Sequence, residues 1–192
     1  MKVIQLHQEE KQLIMLAVEN NRQAQQQIYA KFSSKMLSVC RQYIKDIHHA
    51  EDVMITGFMK VFTNLKNFEH KGSFEGWIRR IMVYECIDFL RVKKNNFNHQ
   101  DIEDVTVSEN ESVYEMEDFS IDDIQNMIDN LPDGYKMVFN LYAIEGYKHQ
   151  EIAEMLKISE GTSKSQLSHA RKLLQQQITE LKKKLNDIAT IR

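Results

Sequence analysis

A single proline among 192 residues, together with only six glycines, is the feature that most constrains the fold of this chain. Proline interrupts helices, and hairpin-rich sheets need many glycine or proline turns. Apolar residues recur at three- and four-residue intervals, which is the spacing of one helix face. The clearest such stripe comprises Ile28, Phe32, Met36, Val39 and Tyr43. The sequence therefore predicts an all-α fold built from long helices.

The distribution of charge divides the chain into three parts. Residues 95–135 carry 12 Asp or Glu and no Lys or Arg, whereas both flanking parts carry more basic than acidic residues. The segment 95–118 also lacks helical periodicity, which is typical of a solvated, flexible linker. An alternative is that this acidic segment lies in a basic channel of a partner. We predict two small helical domains, at 1–94 and 119–192, joined by an acidic flexible linker at 95–118.

Composition and motif content narrow the functional class. Apolar residues make up 42% of the chain, which is ordinary for a soluble globular protein. No apolar run approaches the ~18 residues of a membrane span, and the polar start has no secretion signal, so we expect a cytoplasmic protein without membrane insertion. Cys40 and Cys86 stand alone, which favours reduced thiols over a metal site. Because phosphate-loop, nucleophile-elbow and zinc-protease motifs are missing, we expect no enzyme, no cofactor and no metal.

The stretch HQEIAEMLKISEGTSKSQLSHARKLL, at 149–174, has the pattern of a helix-turn-helix. A short first helix turns its apolar face inward through Ile152, Ala153 and Leu156. A polar turn follows, and Ser159 suits the N-cap of a second helix. Two short helices joined by such a turn form a helix-turn-helix.

The second helix of this motif separates its polar and apolar residues onto different sides. At about 100° per residue, one arc collects Lys164, Ser165, Ser168, His169 and Lys172. The opposite side collects Leu167, Ala170, Leu173 and Leu174, which suits packing on the first helix. Lys, His and Ser side chains hydrogen-bond to base edges or phosphates, and the second helix of such a motif enters the major groove. The arc is therefore predicted to read DNA.

These pieces resemble the extracytoplasmic-function sigma factors of bacterial RNA polymerase. The helix-turn-helix resembles the final domain of that family, which reads the upstream promoter element. AEDVMITGFMKVF resembles its polymerase-binding helix, NFEHKGSFEGWIRRI its following loop and helix, and ECIDFLRVKK the end of that helix. The pieces occur in the family's order and cover roughly residues 8–180.

The resemblance implies a sigma factor that recruits core polymerase, through the beta-prime clamp and the beta flap, to double- and single-stranded promoter DNA. The polymerase-binding residues it implies are Glu51, Asp52, Phe58 and Phe62. Residues implied around the downstream element are Phe68, Lys71, Ser73, Arg80, Ile81 and Tyr84, with Arg91, Lys93 and Lys94 on phosphates. Residues implied at the upstream element are Lys164, Ser165, Ser168 and His169 in the groove, with Thr162, Arg171 and Lys172 on phosphates.

Four positions depart from the pattern of the family. Ile55 and Thr56 stand where the family usually has Gln and Glu, which removes polar contacts to polymerase. Tyr84 replaces a usual Asn on the helix that faces melted DNA, so we expect it to stack on a flipped base. Ser163 replaces a usual valine and points inward, which is expected to weaken packing.

The sequence is also compatible with other functional hypotheses. A stand-alone helix-turn-helix regulator of response-regulator output type would have a helical sensor and form a dimer. A helical adaptor would bind proteins only. The C-terminal stripe, nearly heptad in spacing, either packs on its own domain or docks an inhibitory partner such as an anti-sigma factor. That stripe comprises Leu167, Ala170, Leu174, Ile178, Leu181, Leu185 and Ile188.

Overall fold

The chain forms two helical units in a computed structural model that describes residues 2–96 and 119–190. Each unit is compact on its own, and no strand occurs within the described ranges, so the all-α prediction is confirmed. Most of the predicted linker, residues 97–118, lies outside the described residues. Within these ranges, no helix combines the length and the apolar character that crossing a membrane requires.

The N-terminal unit is a bundle of four long helices. These are α1 (Lys2–Val18), α2 (Arg22–Tyr43), α3 (Ile47–Asn64) and α4 (Phe74–Asn96), with a 3-10 turn at Leu65–Asn67. Side chains cap the starts of three of them, which satisfies backbone N–H groups that have no partner inside the helix. The Asn21 side chain accepts from the Ala24 N–H, and Asp46 accepts from the third residue of α3. Ser73, a residue type that favours the N-cap position, accepts from the Gly76 N–H at 3.3 Å.

The core of the N-terminal unit lies where α2, α3 and α4 meet. All five residues of the predicted α2 stripe are buried. On α4 the helical spacing predicts that Phe74, Trp77, Ile78, Ile81 and Ile87 face inward. This is only partly correct, because Trp77 and Ile81 are half-buried while Met82, Val83 and Cys86 are fully buried. Since α4 packs against both α2 and α3, its buried face is wider than one apolar stripe.

The α3–α4 contact is close at Gly57. A Cβ atom at this position would overlap the Met82 sulfur, and the whole Met82 side chain is buried. One turn further along, Lys60 and the nearly buried Glu85 form an ion pair between the same two helices. The absence of a side chain at Gly57 therefore sets how closely α3 approaches α4.

Over residues 119–190, the C-terminal unit forms four helices and one π-helical turn. They are α5 (Ile121–Asp129), α6 (Asp133–Phe139), the π turn (Asn140–Ile144), α7 (His149–Leu156) and α8 (Glu160–Thr190). The sequence Pro132-Asp133-Gly134 is typical of a turn, yet α6 begins at Asp133 because Pro132 fits the position just before a first helical turn. Gly146, with φ of 77°, ends this segment, as a glycine commonly does.

A buried ion pair joins α5 to α6 in the C-terminal unit. The Lys136 ammonium lies 3.8 Å from the Asp129 carboxylate, and their side chains are 5% and 0% exposed. Gln125 also donates to Asp129 at 3.4 Å. Residue spacing did not reveal this pair, because its two members lie seven positions apart on two different helices.

A matched pair of glycine substitutions tests the close approach of α3 and α4. Gly57→Ala should destabilise the N-terminal unit by about 1 kcal/mol, because overpacking costs about 1–3 kcal/mol and helix propensity returns about 1 kcal/mol. Gly76→Ala should stabilise it by about 0.5–1 kcal/mol, since a Cβ there meets only Ser73, at 3.8 Å. Urea unfolding followed by the fluorescence of Trp77, the one tryptophan, measures both. Equal effects of the two substitutions would contradict the close contact at Gly57.

Candidate nucleic-acid interface

The helix-turn-helix predicted at 149–174 is formed by α7, a tight turn and the start of α8. Ile152, Leu167 and Ala170 are buried between the two helices, as the apolar pattern predicted. Met155 completes this contact on α7, whereas the predicted Ala153 and Leu156 are only half-buried. The first turns of α8 are thereby fixed against α7.

The turn between α7 and α8 is tightened by local hydrogen bonds. Lys157 adopts a left-handed conformation with φ of 56°, which ends α7. The Ile158 N–H then donates to the Ala153 carbonyl at 3.1 Å. Ser159 caps α8 as predicted, because its hydroxyl accepts from the Thr162 N–H at 2.9 Å.

The predicted DNA-reading arc lies along one side of α8. Lys164, Ser165 and Ser168 are exposed, and His169 and Lys172 are half-buried. The His169 ring stacks on Tyr135, with centroids 5.4 Å apart and planes 14° from parallel. Helical geometry therefore brings the five side chains together, and stacking on α6 holds one of them.

Two hydrogen bonds hold the beginning of the arc. The Lys164 ammonium lies 2.7 Å from the Glu160 carboxylate, one turn earlier, and both side chains are about half exposed. The hydrogen bond from Lys164 lowers the pKa of Glu160, and the charge of Lys164 adds to this effect. The Ser165 hydroxyl donates to the Thr162 carbonyl at 3.0 Å. Any anion that takes Lys164 must therefore displace Glu160.

The residues predicted to contact upstream phosphates lie beside the arc. Thr162 is half-buried, and its hydroxyl is 2.8 Å from that of Ser159. Arg171 is exposed, and its guanidinium lies 5.7 Å from the centre of the Tyr142 ring. Lys172 lies next to Arg171 and is half-buried.

Ser163 points inward as predicted, yet it does not simply weaken the packing. It is fully buried, and its hydroxyl lies 2.9 Å from Nδ1 of His149. The His149 ring in turn stacks on Tyr142 with centroids 4.6 Å apart. The hydroxyl therefore has a partner, which lowers the penalty of burying it. Sequence reasoning missed this bond because it joins residues fourteen positions apart.

In the N-terminal unit, an aromatic cluster underlies the loop between the 3-10 turn and α4. Phe68 is buried and contacts the rings of His70, Phe74 and Trp77, with centroids 4.8, 5.1 and 5.5 Å away. His70 has a left-handed backbone with φ of 57°. Of the residues predicted at the downstream element, Phe68 therefore supports the loop from below.

The other predicted downstream residues lie on the loop and along α4. Lys71 is exposed and pairs with Glu69 at 2.7 Å. Arg80 and Tyr84 are exposed one helical turn apart, with the guanidinium 5.8 Å from the ring centre. Ser73 is exposed, and Ile81 is half-buried. Arg91 is half-buried and donates to Asp88 at 2.9 Å. The side chains of Lys93 and Lys94 lie outside the described residues.

The predicted polymerase-binding residues lie on α3 but do not form one surface. Asp52 is exposed, Glu51 and Phe62 are half-buried, and Phe58 is buried in the core against Tyr29. The large apolar side chains exposed on this helix are instead Ile47 at its start, at 42%, and Ile55 and Met59, at 48% and 67%. The signal that could have found Met59 was its position four residues after Ile55, on the same helix face.

Comparison with known proteins matches each of the two units to a family model. Residues 28–96 match the family model of sigma-70 region 2, and residues 121–174 match that of sigma-70 region 4. The chain is 29% identical over 163 residues to the ECF RNA polymerase sigma factor SigW of Bacillus subtilis, covering 78% of this chain and 86% of that protein. It is 24% identical to the ECF RNA polymerase sigma-E factor of Haemophilus influenzae, covering 80% and 87%.

A solved structure shares the fold. The sigma factor RpoE in complex with the anti-sigma factor NepR from Bartonella quintana superposes with a TM-score of 0.52. Its sequence is 18% identical, and the match covers 80% of this chain and 96% of that chain.

The Glu160–Lys164 pair leads to a prediction about affinity for DNA. Glu160→Gln should tighten binding of the full chain to duplex DNA about two- to fivefold, because it removes a carboxylate from the arc and releases Lys164. Fluorescence anisotropy at one fixed salt concentration measures this. Since the pKa of Glu160 is lowered, the difference from the wild type should persist at mildly acidic pH.

A control for this prediction lies on the same helix. Glu180 is exposed and lies about 24 Å from Lys164 along the axis of α8, beyond the Debye length of about 10 Å at 0.1 M salt. Glu180→Gln should therefore leave the affinity almost unchanged. If both substitutions tighten binding equally, net charge alone explains the effect and the local pairing does not.

Proposed function

The chain belongs to the sigma-70 family as an ECF RNA polymerase sigma factor, and on this premise we propose that its two units read the two elements of one promoter. The C-terminal unit reads the upstream element as a duplex, and the N-terminal unit opens the downstream element. The observation that carries this proposal is the polar arc of α8, held outward by the buried contact with α7.

The proposed upstream contacts follow from the position of α8. Lys164, Ser165, Ser168 and His169 enter the major groove, where Lys and His donate to guanine acceptors and Ser serves either role. Thr162, Arg171 and Lys172 hold phosphates on either side, which fixes the register of the helix on the duplex. Because few cations lie on this surface, its affinity for DNA is modest without polymerase.

The proposed downstream contacts combine an aromatic face with cations. Tyr84 offers an exposed ring for an unstacked base, and Arg80 lies beside it. Phe68, Ser73 and Ile81 shape and support the loop that receives the single strand, with Lys71 at its tip. Arg91, Lys93 and Lys94 follow on α4 for the phosphates. Capture of flipped bases offsets the free energy needed to unpair them.

Core polymerase binds the N-terminal unit through α3 and the C-terminal unit through the beta flap. On α3, Glu51 and Asp52 provide polar contacts to the beta-prime clamp. Phe58 in the core and Phe62 at its edge hold this helix in place from the inner side. Exposed Ile55, where the family usually has Gln, and exposed Met59 add an apolar surface. The chain itself makes or breaks no bond, and it acts with polymerase in the cytoplasm.

The proposed domains are 1–94 and 119–192, with 95–118 as the linker. Each contact with DNA is weak by itself, and attachment of both domains to one polymerase raises the effective concentration of each for its element. An anti-sigma factor is a further proposed partner, because RpoE, whose fold is similar, was solved with NepR. The half-buried Leu174, Ile178 and Leu181 along α8 are the candidate docking stripe on this chain.

The function is tested by transcription in vitro. The purified chain is added to sigma-free core polymerase, and the transcript starts are sequenced across the genome of its host. Discrete starts that share a two-part upstream sequence are expected. Binding to duplex DNA without any specific starts would instead favour a stand-alone regulator.

Variants of the arc sharpen this test on a promoter so identified. Lys164→Ala and His169→Ala should each weaken promoter-specific transcription by the equivalent of about 1–3 kcal/mol, because each removes a base contact. Gln176→Ala, an exposed polar change further along α8, should not. Unchanged promoter choice in both arc variants would argue against the assignment of α8.

Tyr84 yields a prediction about DNA melting. Tyr84→Ala should remove about 1–3 kcal/mol of base stacking and slow or prevent opening of the downstream element. Tyr84→Phe keeps the ring and should open promoters nearly as well as the wild type. Fluorescence of 2-aminopurine placed in the downstream element measures opening by the holoenzyme. Equal defects in the two variants would mean that Tyr84 does not act by stacking.

A further inference from the structure

Four side chains form a continuous series from the buried face of α8 to its exposed face. The buried Ser163 hydroxyl lies 2.9 Å from Nδ1 of His149. The His149 ring stacks on Tyr142, with planes 22° from parallel. Above Tyr142 lies the guanidinium of Arg171, 5.7 Å from the ring centre. The series therefore begins and ends on α8 and passes through two other elements.

The hydroxyl of Ser163 fixes the first contact of this series. A buried hydroxyl without a hydrogen-bond partner is destabilising, and His149 is the side chain that bonds to Ser163. His149 is the first residue of α7, where a ring is less confined than inside a helix. The bond therefore ties the start of α7 to the inner face of α8 and fixes the plane of the imidazole.

The π turn places the third member of the series. Tyr142 lies at its centre, and the Glu145 N–H donates to the Asn140 carbonyl five residues earlier. Turns of this kind occur frequently at functional sites. Here the turn carries an exposed tyrosine whose ring contacts both His149 and Arg171. A cation over an aromatic face is attracted by the ring and loses part of its freedom.

We propose that His149 is a positioning residue for promoter binding, which acts through Tyr142 to hold Arg171 ready for an upstream phosphate. Ser163 fixes the plane of the imidazole, the imidazole supports the Tyr142 ring, and that ring limits the positions of the guanidinium. An arginine held in this way loses less entropy when it binds the phosphate. This proposal rests on the proposed function, since Arg171 must first be a phosphate contact.

Salt dependence of DNA binding distinguishes positioning from packing. Each phosphate contact contributes about 0.9 to the slope of log affinity against log salt. If His149 acts through Arg171, its loss leaves the guanidinium on the phosphate for less of the time and lowers the slope by part of that amount. If His149 only stabilises the fold, affinity changes while the slope stays.

The experiment uses the holoenzyme and a labelled duplex that carries the upstream element of a promoter mapped by transcription. Arg171→Ala should lower the slope by about 0.9 and weaken binding at moderate salt about three- to tenfold. His149→Ala and Tyr142→Leu should each lower both the slope and the affinity, by less than Arg171→Ala does. The double variant H149A/R171A should bind no more weakly than Arg171→Ala alone. Gln150→Ala, an exposed neighbour of His149, is the control and should match the wild type.

A rescue variant distinguishes the contribution of the His149 ring from that of its hydrogen bond to Ser163. His149→Phe combined with Ser163→Val keeps a ring beside Tyr142 and replaces the buried polar pair by two apolar groups. This double variant should recover most of the slope that His149→Ala loses. Circular dichroism shows whether each variant is folded. If His149→Ala does not fold, Tyr142→Leu provides the same test of the series.

Two results would overturn the proposal. If His149→Ala weakens binding without a change in slope, and its effect adds to that of Arg171→Ala, His149 is a packing residue and the proposed function stands. If Arg171→Ala changes neither affinity nor slope, the phosphate contact itself is wrong. Transcription from the mapped promoter by the wild-type chain separates that result from failure of the proposed function as a whole.

Discussion

The buried contact between α7 and α8 is the interaction on which the proposed upstream interface depends. Ile152 and Met155 on α7 meet Leu167 and Ala170 on α8, and these residues have little or no exposure. Because side chains on a helix have fixed angular positions, burying one side of α8 determines which side faces out. The polar arc is therefore a consequence of apolar packing, and its geometry is only as well defined as that contact.

The two proposed DNA surfaces consist of different kinds of side chain. On α8 the side chains have partners before any ligand arrives, as in the Glu160–Lys164 pair and the stacking of His169 on Tyr135. In the N-terminal unit, a strongly curved loop rests on an aromatic cluster that includes Phe68 and Trp77. A duplex presents a regular surface that suits a rigid helix, whereas an unstacked base needs a ring and a place to enter.

The sequence allowed prediction of features that are set locally. The α2 stripe, the caps Ser73 and Ser159 and the inward direction of Ser163 follow from residue spacing or from one turn of chain. It did not reveal features that depend on pairs of distant residues. Burial of Met82 depends on the close approach of α3 at Gly57, and the partner of Ser163 lies fourteen positions away.

The Asp129–Lys136 pair has a consequence for how this chain and its relatives diverge. Removing one member leaves the other charge buried and costs about 3–5 kcal/mol, whereas replacing both by apolar residues is often neutral or stabilising. Either substitution by itself is therefore selected against, although the two together are tolerated. Positions 129 and 136 are expected to change in step among close relatives, as an ion pair in some lineages and as two apolar residues in others.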